Sequence, residues 1–228
     1  MNAGRTARER ARAELTEEIK TAARQQLATV GAEALSLRAI SRELGMVSSA
    51  LYRYFASRDE LLTALIIDAY DAMGAAAEAA ATGADPVDEW IAIYAAVRDW
   101  ARANPQEYAL IYGSPISGYK APQTTVEPAI RVPVLLLGLL QRAQASGRLV
   151  TPADAPEPSG LLAQQTEVLV ALAPDVPPAV LVRMIIVWTQ LFGMISFELF
   201  GQLVGSMDPA DEFFASASRQ MAAFVGLS

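Results

Sequence analysis

The chain has 228 residues, 53% of them hydrophobic, and a formal net charge of −7. It contains neither Cys nor His, which removes disulfides, thiolate metal sites and the commonest general base and zinc ligand. These absences argue against an enzyme, and we expect no metal and no cofactor. The Ala- and Leu-rich composition favours an all-α fold, with room for a small domain joined to a larger one.

Residues 1–14 form an Arg-rich segment with little apolar content, and this pattern predicts a flexible basic arm. From Leu15 to about Val30, apolar residues recur at three- and four-residue steps, which predicts an amphipathic helix. Gly31 is expected to end that helix.

Two short helices with a tight turn follow. Ser36 can cap the first of them, and its apolar face runs as far as Gly45, a residue type that often closes a helix. The second begins near Ser48 and buries Leu51 and Phe55 one turn apart. Hydroxyl side chains remain on its outside, and on so short a helix they suit entry into a DNA major groove.

The run from Leu51 to Leu62 resembles the helix-turn-helix of the TetR family of bacterial transcriptional regulators. The family pattern Leu-Tyr-x-His-Phe-x-Ser-Lys-Glu-Glu-Leu appears here with Tyr54 in place of His and Arg58 in place of Lys. Val47 stands where the family usually has a capping Ser, so the recognition helix is capped by Ser48 or has lost its cap. The strong match covers about residues 15–65.

The resemblance implies a DNA-binding regulator, most often a repressor, that acts as a homodimer on a pseudopalindromic operator. Two recognition helices would lie about 34–36 Å apart in successive major grooves. The candidates for base edges and nearby phosphates are Ser48, Ser49 and Tyr52. The candidates for the DNA backbone are Ser36, Arg38, Tyr54 and Arg58, of which Arg38 can alternatively reach a base.

Charge is distributed unevenly between the two parts of the chain. Residues 1–62 carry ten Lys or Arg and eight Asp or Glu, a net charge of +2, whereas residues 63–228 carry a net charge of −9. Binding to DNA phosphates requires positively charged residues at the contact surface and does not require a positive net charge of the whole chain. The pattern therefore favours docking through the N-terminal part, and residues 1–14 are either a tail or a further contact to phosphate or the minor groove.

We expect a DNA-binding domain over residues 15–60 and a helical effector-binding and dimerisation domain over residues 61–228. A helix from Arg58 to about Ala81, capped by Ser57, joins them and can act as a lever. Further helices are predicted from about Pro86 to Ala103 and from Asn104-Pro105 through Tyr108 and Tyr112. Another runs from Pro122 or Thr125 to Ser146, with a kink or its true start at Pro133. The last three are expected over Ser159–Ala173, from Pro177-Pro178 to about Gly205, and from Asp208-Pro209 onward.

Aromatic residues in the larger domain have two interpretations. An aromatic stripe at helical spacing is more often core, yet the polar atoms of Tyr and Trp also suit a pocket for a hydrophobic or aromatic effector. The candidate pocket residues are Trp90, Tyr94, Trp100, Tyr108 and Tyr112.

The most apolar region is 180–204, where Arg183 and Glu198 leave only 14 uncharged residues between them. A bilayer span needs about 20, so we expect a buried or interfacial helix and no membrane contact. Its apolar residues surround the axis, which favours a partner subunit over a central helix in a monomer. In the family, the last long helices form a four-helix dimer interface, for which the candidates are Leu161, Leu169, Trp188, Phe192, Ile195 and Leu199.

The first residues lack the apolar stretch of a signal peptide, so we expect a cytoplasmic protein.

The alternative function is a helical enzyme or binding protein for a hydrophobic small molecule without DNA binding. The sequence contains no nucleophile–base pair, metal-ligand spacing or Gly-rich phosphate loop that would support the enzyme.

Overall fold

A computed structural model describes residues 3–83 and 85–228. Within these ranges the regular structure is helical, with two short 3₁₀ turns at Ala32–Ala34 and Gln123–Thr125, which confirms the predicted all-α fold. The helices are α1 (Ala3–Val30), α2 (Leu37–Glu43), α3 (Ser48–Leu51), α4 (Arg58–Ala80), α5 (Pro86–Ala103), α6 (Pro105–Tyr112), α7 (Val126–Ala129), α8 (Arg131–Ala145), α9 (Gly160–Leu172), α10 (Pro178–Leu199) and α11 (Asp211–Val225).

The first helix begins earlier than the apolar periodicity predicts. It starts at Ala3 rather than Leu15, so the described part of segment 1–14 is helical and not a flexible arm; residues 1 and 2 lie outside the described residues. Residues 5–30 contain no Gly or Pro and are rich in Ala, Arg and Glu, which are strong helix formers. Helix propensity, rather than a buried face, extends this end.

Other helix boundaries also differ from the predictions. Pro133 lies in the first turn of α8, and the helical path is interrupted at Ile130, between α7 and α8, because proline has no N–H to donate to the carbonyl four residues earlier. The tenth helix ends at Leu199, six residues before the predicted Gly205. The last helix begins at Asp211 and not at Asp208-Pro209.

The chain divides into two compact units. The first comprises the residues up to Tyr70 together with Asn104–Val126, so the division differs from the predicted boundary between residues 60 and 61. The reason is packing, because Leu110 of α6 joins the buried core of the helix-turn-helix. Other members of this core are Ile19, Ala23, Leu27, Leu37, Ile40, Leu51, Phe55, Leu61 and Leu65.

An ionic cluster ties three helices of the first unit together. Arg24 of α1 donates to Asp68 of α4 at 2.6 Å and to Glu107 of α6 at 2.9 Å. Lys20 lies 2.9 Å from the same Asp68 carboxylate. These partly buried pairs fix α1 against the N-terminal half of α4 and against α6.

The second unit comprises Asp71–Ala103 and Glu127–Ser228. In it, α5 packs against α8, α10 and α11, and α10 also packs against α9 and α11. Arg98 of α5 makes two 2.7 Å hydrogen bonds to the Glu198 carboxylate of α10 and one of 2.9 Å to Asp211 of α11. Because Arg98 is only 7% exposed, this cluster is part of the unit's interior.

By length and composition, α10 is the one helix of the described chain that could cross a membrane, with a mean hydropathy of 1.8 in its most apolar window. Half of that window is buried inside the protein. Its packing on α5, α9 and α11 is that of a core helix, as the interruption by Arg183 and Glu198 predicts.

Candidate nucleic-acid interface

The turn between α2 and α3 forms as the sequence predicts. The Ser36 hydroxyl accepts a hydrogen bond from the Ala39 N–H at 3.4 Å and caps α2. Leu37 and Ile40 are buried beneath the helix. Gly45 has a φ of 64°, in the left-handed region where a side chain is strained, so the chain turns sharply there and presents α3.

The start of α3 lacks a side-chain cap. Val47 occupies the capping position and makes no capping hydrogen bond. The Ser48 hydroxyl lies 3.1 Å from that of Ser41, which is only 1% exposed. Ser48 therefore links α3 to α2 through its hydroxyl, and the predicted base contact of this residue stays a prediction.

Three of the predicted contact residues are solvent-exposed around this turn. Arg38 lies on the outer face of α2, and Ser49 lies in the first turn of α3. Tyr52 directly follows α3 and is 45% exposed. Because Ser49 and Tyr52 are three residues apart, they share one helical face, which faces solvent and is accessible to a groove.

Two other predicted contacts are used inside the unit. Arg58 donates from Nη2 to the carbonyls of Ala32 and Glu33, at 2.8 and 3.1 Å, and the Ala32 carbonyl also accepts from the Leu35 N–H at 3.3 Å. Tyr54 is half-buried, with the Arg12 guanidinium 5.0 Å from its ring centre. The prediction that Tyr54 and Arg58 donate to phosphate thus differs from their observed contacts.

Two exposed arginines next to the turn were missed as site residues by sequence reasoning. Arg42 lies in the last turn of α2, and Arg53 lies between Tyr52 and Tyr54. Arg53 occupies the unspecified position of the Leu-Tyr-x-His-Phe pattern and Arg42 lies before that pattern, so no motif singles them out. The feature that could have identified them is a positive charge next to the exposed recognition helix, which is typical of residues that contact phosphate.

Comparison with known proteins identifies the family. Residues 19–65 match the model described as bacterial regulatory proteins, tetR family, and residues 90–221 match the tetracyclin repressor-like C-terminal domain. HTH-type transcriptional regulators of Mycobacterium bovis and Mycobacterium tuberculosis are 41% identical over 212 residues, covering 90% of this chain and 90% of each relative. The chain belongs to the TetR family of bacterial transcriptional regulators. It is a DNA-binding regulator, and its family is one of regulators rather than enzymes.

Solved structures agree with the TetR-family fold. The crystal structure of SCO4313, described as a regulatory protein, has a TM-score of 0.74 at 36% identity and covers 94% of this chain and 98% of its own. The TetR family regulator PfmR from Thermus thermophilus has a TM-score of 0.58 at 20% identity, covering 91% and 96% of the two chains. The latter likeness concerns the fold alone.

The aromatic residues predicted to line one pocket fall in different units of this TetR-family protein. Trp90 and Tyr94 lie in the second unit, are fully buried, and stack with ring centres 4.8 Å apart. Trp100 is partly buried in the same unit. Tyr108 and Tyr112 lie in the first unit, with ring centres 5.3 Å apart. The five are therefore divided between the two units, and Trp90, Tyr94 and Tyr108 are fully buried within the chain.

The predicted interface residues also divide by burial. Ile195 is fully buried and Phe192 is 7% exposed within the single chain, because they lie on the side of α10 that packs on its own unit. This corrects their assignment to a partner-facing surface. Leu161 is 68% exposed, whereas Leu169, Trp188 and Leu199 are partly buried.

Proposed function

We propose that this TetR-family regulator is a cytoplasmic repressor that binds a pseudopalindromic operator as a homodimer and is released by a hydrophobic small molecule. The observation that carries the proposal is an apolar surface on α9 and α10 that the single chain leaves uncovered. Such a surface supports a two-fold dimer, and a two-fold dimer reads two half-sites.

Most of α9 is exposed although its sequence is apolar. Thr166 is its one buried residue. The outer side of α10 also exposes apolar side chains, those of Ile185, Ile186 and Phe197. A large contiguous apolar patch is uncommon on a monomer and marks an interaction site. We call this patch the α9–α10 face; its most exposed members are Leu161, Leu162, Val168, Leu172, Ile185, Ile186 and Phe197.

Gly193 lies on the outer side of α10 within this face. A Cβ atom placed there would meet no atom within 4 Å, so its own chain does not require a glycine at this position. The absent side chain leaves room for a second helix to approach the α10 backbone closely. This supports a helix-to-helix dimer rather than contact with a loop.

On DNA, we propose that Ser49 and Tyr52 enter the major groove and that Arg38, Arg42 and Arg53 contact flanking phosphates. All five are exposed around the α2–α3 turn. Hydroxyls can both donate and accept at base edges, whereas the arginines supply sequence-independent affinity.

The second unit offers a chemical clue to the effector. The buried indole Nε1–H groups of Trp90 and Trp188 have no hydrogen-bond partner among the described residues. An unmatched buried donor costs about 1–3 kcal/mol, so a hydrophobic effector that carries an acceptor oxygen would gain by reaching one of them. Repression is relieved if the effector binds better to the conformation that does not fit the operator.

The test begins with the purified full-length protein and a random pool of DNA duplexes. We expect selection to yield an inverted repeat, and the selected duplex placed over a promoter to be transcribed less in the protein's presence. A panel of apolar compounds with acceptor oxygens should then quench Trp fluorescence and restore transcription. Selection of no inverted repeat contradicts the operator proposal, and increased transcription contradicts repression.

A further inference from the structure

We infer that the N-terminal part of α1 is a second DNA-contacting element, which forms with Arg53 a cationic cleft for phosphates that flank the bases read by α3. The inference rests on the proposed operator binding and adds a contact outside the helix-turn-helix. The family match begins at residue 19, so Arg8 and Arg12 of this cleft lie before the matched segment, whereas Arg53 lies inside it.

The cleft is an open cavity of about 620 Å³ between α1 and the end of the recognition segment. Arg8, Arg12 and Arg53 line it together with the Tyr54 ring, and Glu9 is the carboxylate of the lining. Arg8 and Arg12 are four residues apart and therefore share one face of the helix. Three guanidinium groups beside the recognition segment provide donors suited to phosphate oxygens.

The extension is held in place by its own contacts. Arg12 donates from Nη2 to the carbonyl of Arg53 at 3.2 Å, and its guanidinium lies over the Tyr54 ring. A guanidinium bound to a carbonyl and a ring keeps its charge. Arg12 thus fixes α1 beside the chain that follows α3, which places Arg8 at a defined site on the same surface.

Glu9 is the one acidic residue in the lining of this cleft, and other acidic residues of α1 lie elsewhere. Glu14, Glu17 and Glu18 line a different hollow, beside Glu43 at the end of α2. Phosphate approaching the cleft therefore meets three arginines and a single carboxylate, that of Glu9, while Glu14, Glu17 and Glu18 face the other hollow. This separation favours a strand of DNA lying along the arginine side of α1.

The experiment measures DNA affinity as a function of salt for Arg8→Ala, with Arg10→Ala as the matched control. Arg10 is exposed on the same helix but is not part of the cleft lining, and its helical position points away from Arg8. Both variants lose one charge from an exposed site. Circular dichroism checks that each retains the helix content of the wild type.

We expect Arg8→Ala to reduce the slope of log affinity against log salt by about 0.9 per phosphate, or about 1.8 for a dimer. Its affinity loss between 50 and 200 mM salt should then be about tenfold smaller than that of the wild type. Arg10→Ala should match the wild type. Equal effects of the two variants, or no effect of Arg8→Ala, would overturn the inference.

Arg12→Ala tests the docking of the extension. If Arg12 positions Arg8, adding Arg8→Ala to Arg12→Ala should change the slope less than Arg8→Ala does alone. An undiminished effect contradicts the positioning role. If the wild type shows no preference for any duplex, the operator proposal fails, yet the slopes on random DNA still decide whether the cleft binds phosphate.

Discussion

Gly74 of α4 and Arg131 of α8 are packed so closely that a Cβ atom at Gly74 would lie 2.8 Å from Arg131 Nε and 2.9 Å from Arg131 Cβ. The arginine crosses α4 at this point. Its Nη1 donates to the Asp71 carboxylate at 2.7 Å, and its Nη2 donates to Glu78 at 2.6 Å. Glycine at position 74 is what allows one guanidinium to join carboxylates on both sides of it.

Gly74→Ala should therefore destabilise the protein. In a helix interior, replacing Gly by Ala ordinarily stabilises by about 1 kcal/mol, so the sign of the effect is diagnostic. The new methyl group must displace the stem of Arg131, not only its flexible end. We expect a lower midpoint of thermal or urea unfolding.

Gly138→Ala in α8 is the control for that substitution. Its Cβ would meet Arg142 Nη1 at 3.6 Å, an ordinary contact, so Gly138→Ala should be neutral or stabilising. Adding Arg131→Ala should remove the penalty of Gly74→Ala but not change the effect of Gly138→Ala. Stabilisation by Gly74→Ala would contradict this prediction, because it would show that Arg131 can keep its contacts with a methyl group at position 74.

Tyr52→Ala should weaken binding to the selected operator without unfolding the helix-turn-helix. The side chain is 45% exposed, so its removal costs little packing, whereas a good base contact contributes about 1–3 kcal/mol of discrimination. We expect a loss of about tenfold or more in operator affinity, measured by fluorescence anisotropy, and a much smaller loss on random DNA.

Ser48→Ala provides the contrast to Tyr52→Ala. Because the Ser48 hydroxyl is paired with Ser41, its loss should lower the unfolding midpoint and affect all DNA sequences alike. Unchanged operator preference in Tyr52→Ala would remove this residue from the proposed readout.

Local chemistry explains what the sequence could predict. Ser36 caps α2 and Gly45 adopts a positive φ because a cap and a left-handed turn depend on only a few neighbouring residues. Ser57 likewise caps α4, where its hydroxyl accepts from the Glu60 N–H at 3.1 Å. The two caps and the turn are therefore found at the residues where the sequence predicts them.

Contacts between residues far apart in the chain are what the sequence could not predict. Arg58 matches a phosphate-binding position of the family pattern, but it meets carbonyls near Ala32, 26 residues earlier in the chain. Tyr94 and Tyr108 both belong to the predicted pocket, yet Tyr108 lies in the first unit and Tyr94 in the second. Periodicity indicates which face of a helix is apolar and leaves open which core that face joins.

Asp211→Asn should reduce stability at neutral pH and lose its effect in acid. A hydrogen bond from Arg98, followed by the charge of Arg98, lowers the pKa of Asp211 below its ordinary value of 3.8. A carboxylate whose pKa is lowered by folding contributes stability above the ordinary value and loses it as the pH falls through the folded pKa.

The measurement is urea unfolding of the wild type and Asp211→Asn from pH 7 to pH 2. The two midpoints should differ above about pH 5, and their difference should shrink as the pH falls from the ordinary Asp pKa toward the lowered pKa of folded Asp211. Glu212→Gln removes the other carboxylate of the first turn of α11, so it controls for the general effect of the helix dipole. A difference that does not shrink between pH 5 and pH 2 contradicts the ion pair as its source.

Val168→Glu should convert the proposed dimer to a monomer without unfolding it. Val168 is 68% exposed on the α9–α10 face, so a charge is tolerated in the single chain but would be buried between two copies, where an unpaired carboxylate is strongly unfavourable. We expect sedimentation velocity to show a dimer for the wild type and a monomer for this variant. The affinity of Val168→Glu for the operator should also be lower, because each half-site is then bound separately by a monomer.

Val150→Glu is the matched control, since Val150 is 61% exposed and lies outside the α9–α10 face. It should leave both the dimer and operator binding intact. Ile195→Ala reports on the core instead, and should cost about 2–5 kcal/mol of stability, because Ile195 is fully buried in its own chain. If Val168→Glu remains dimeric while Val150→Glu dissociates, the subunits meet at the other surface and the α9–α10 face is not the interface.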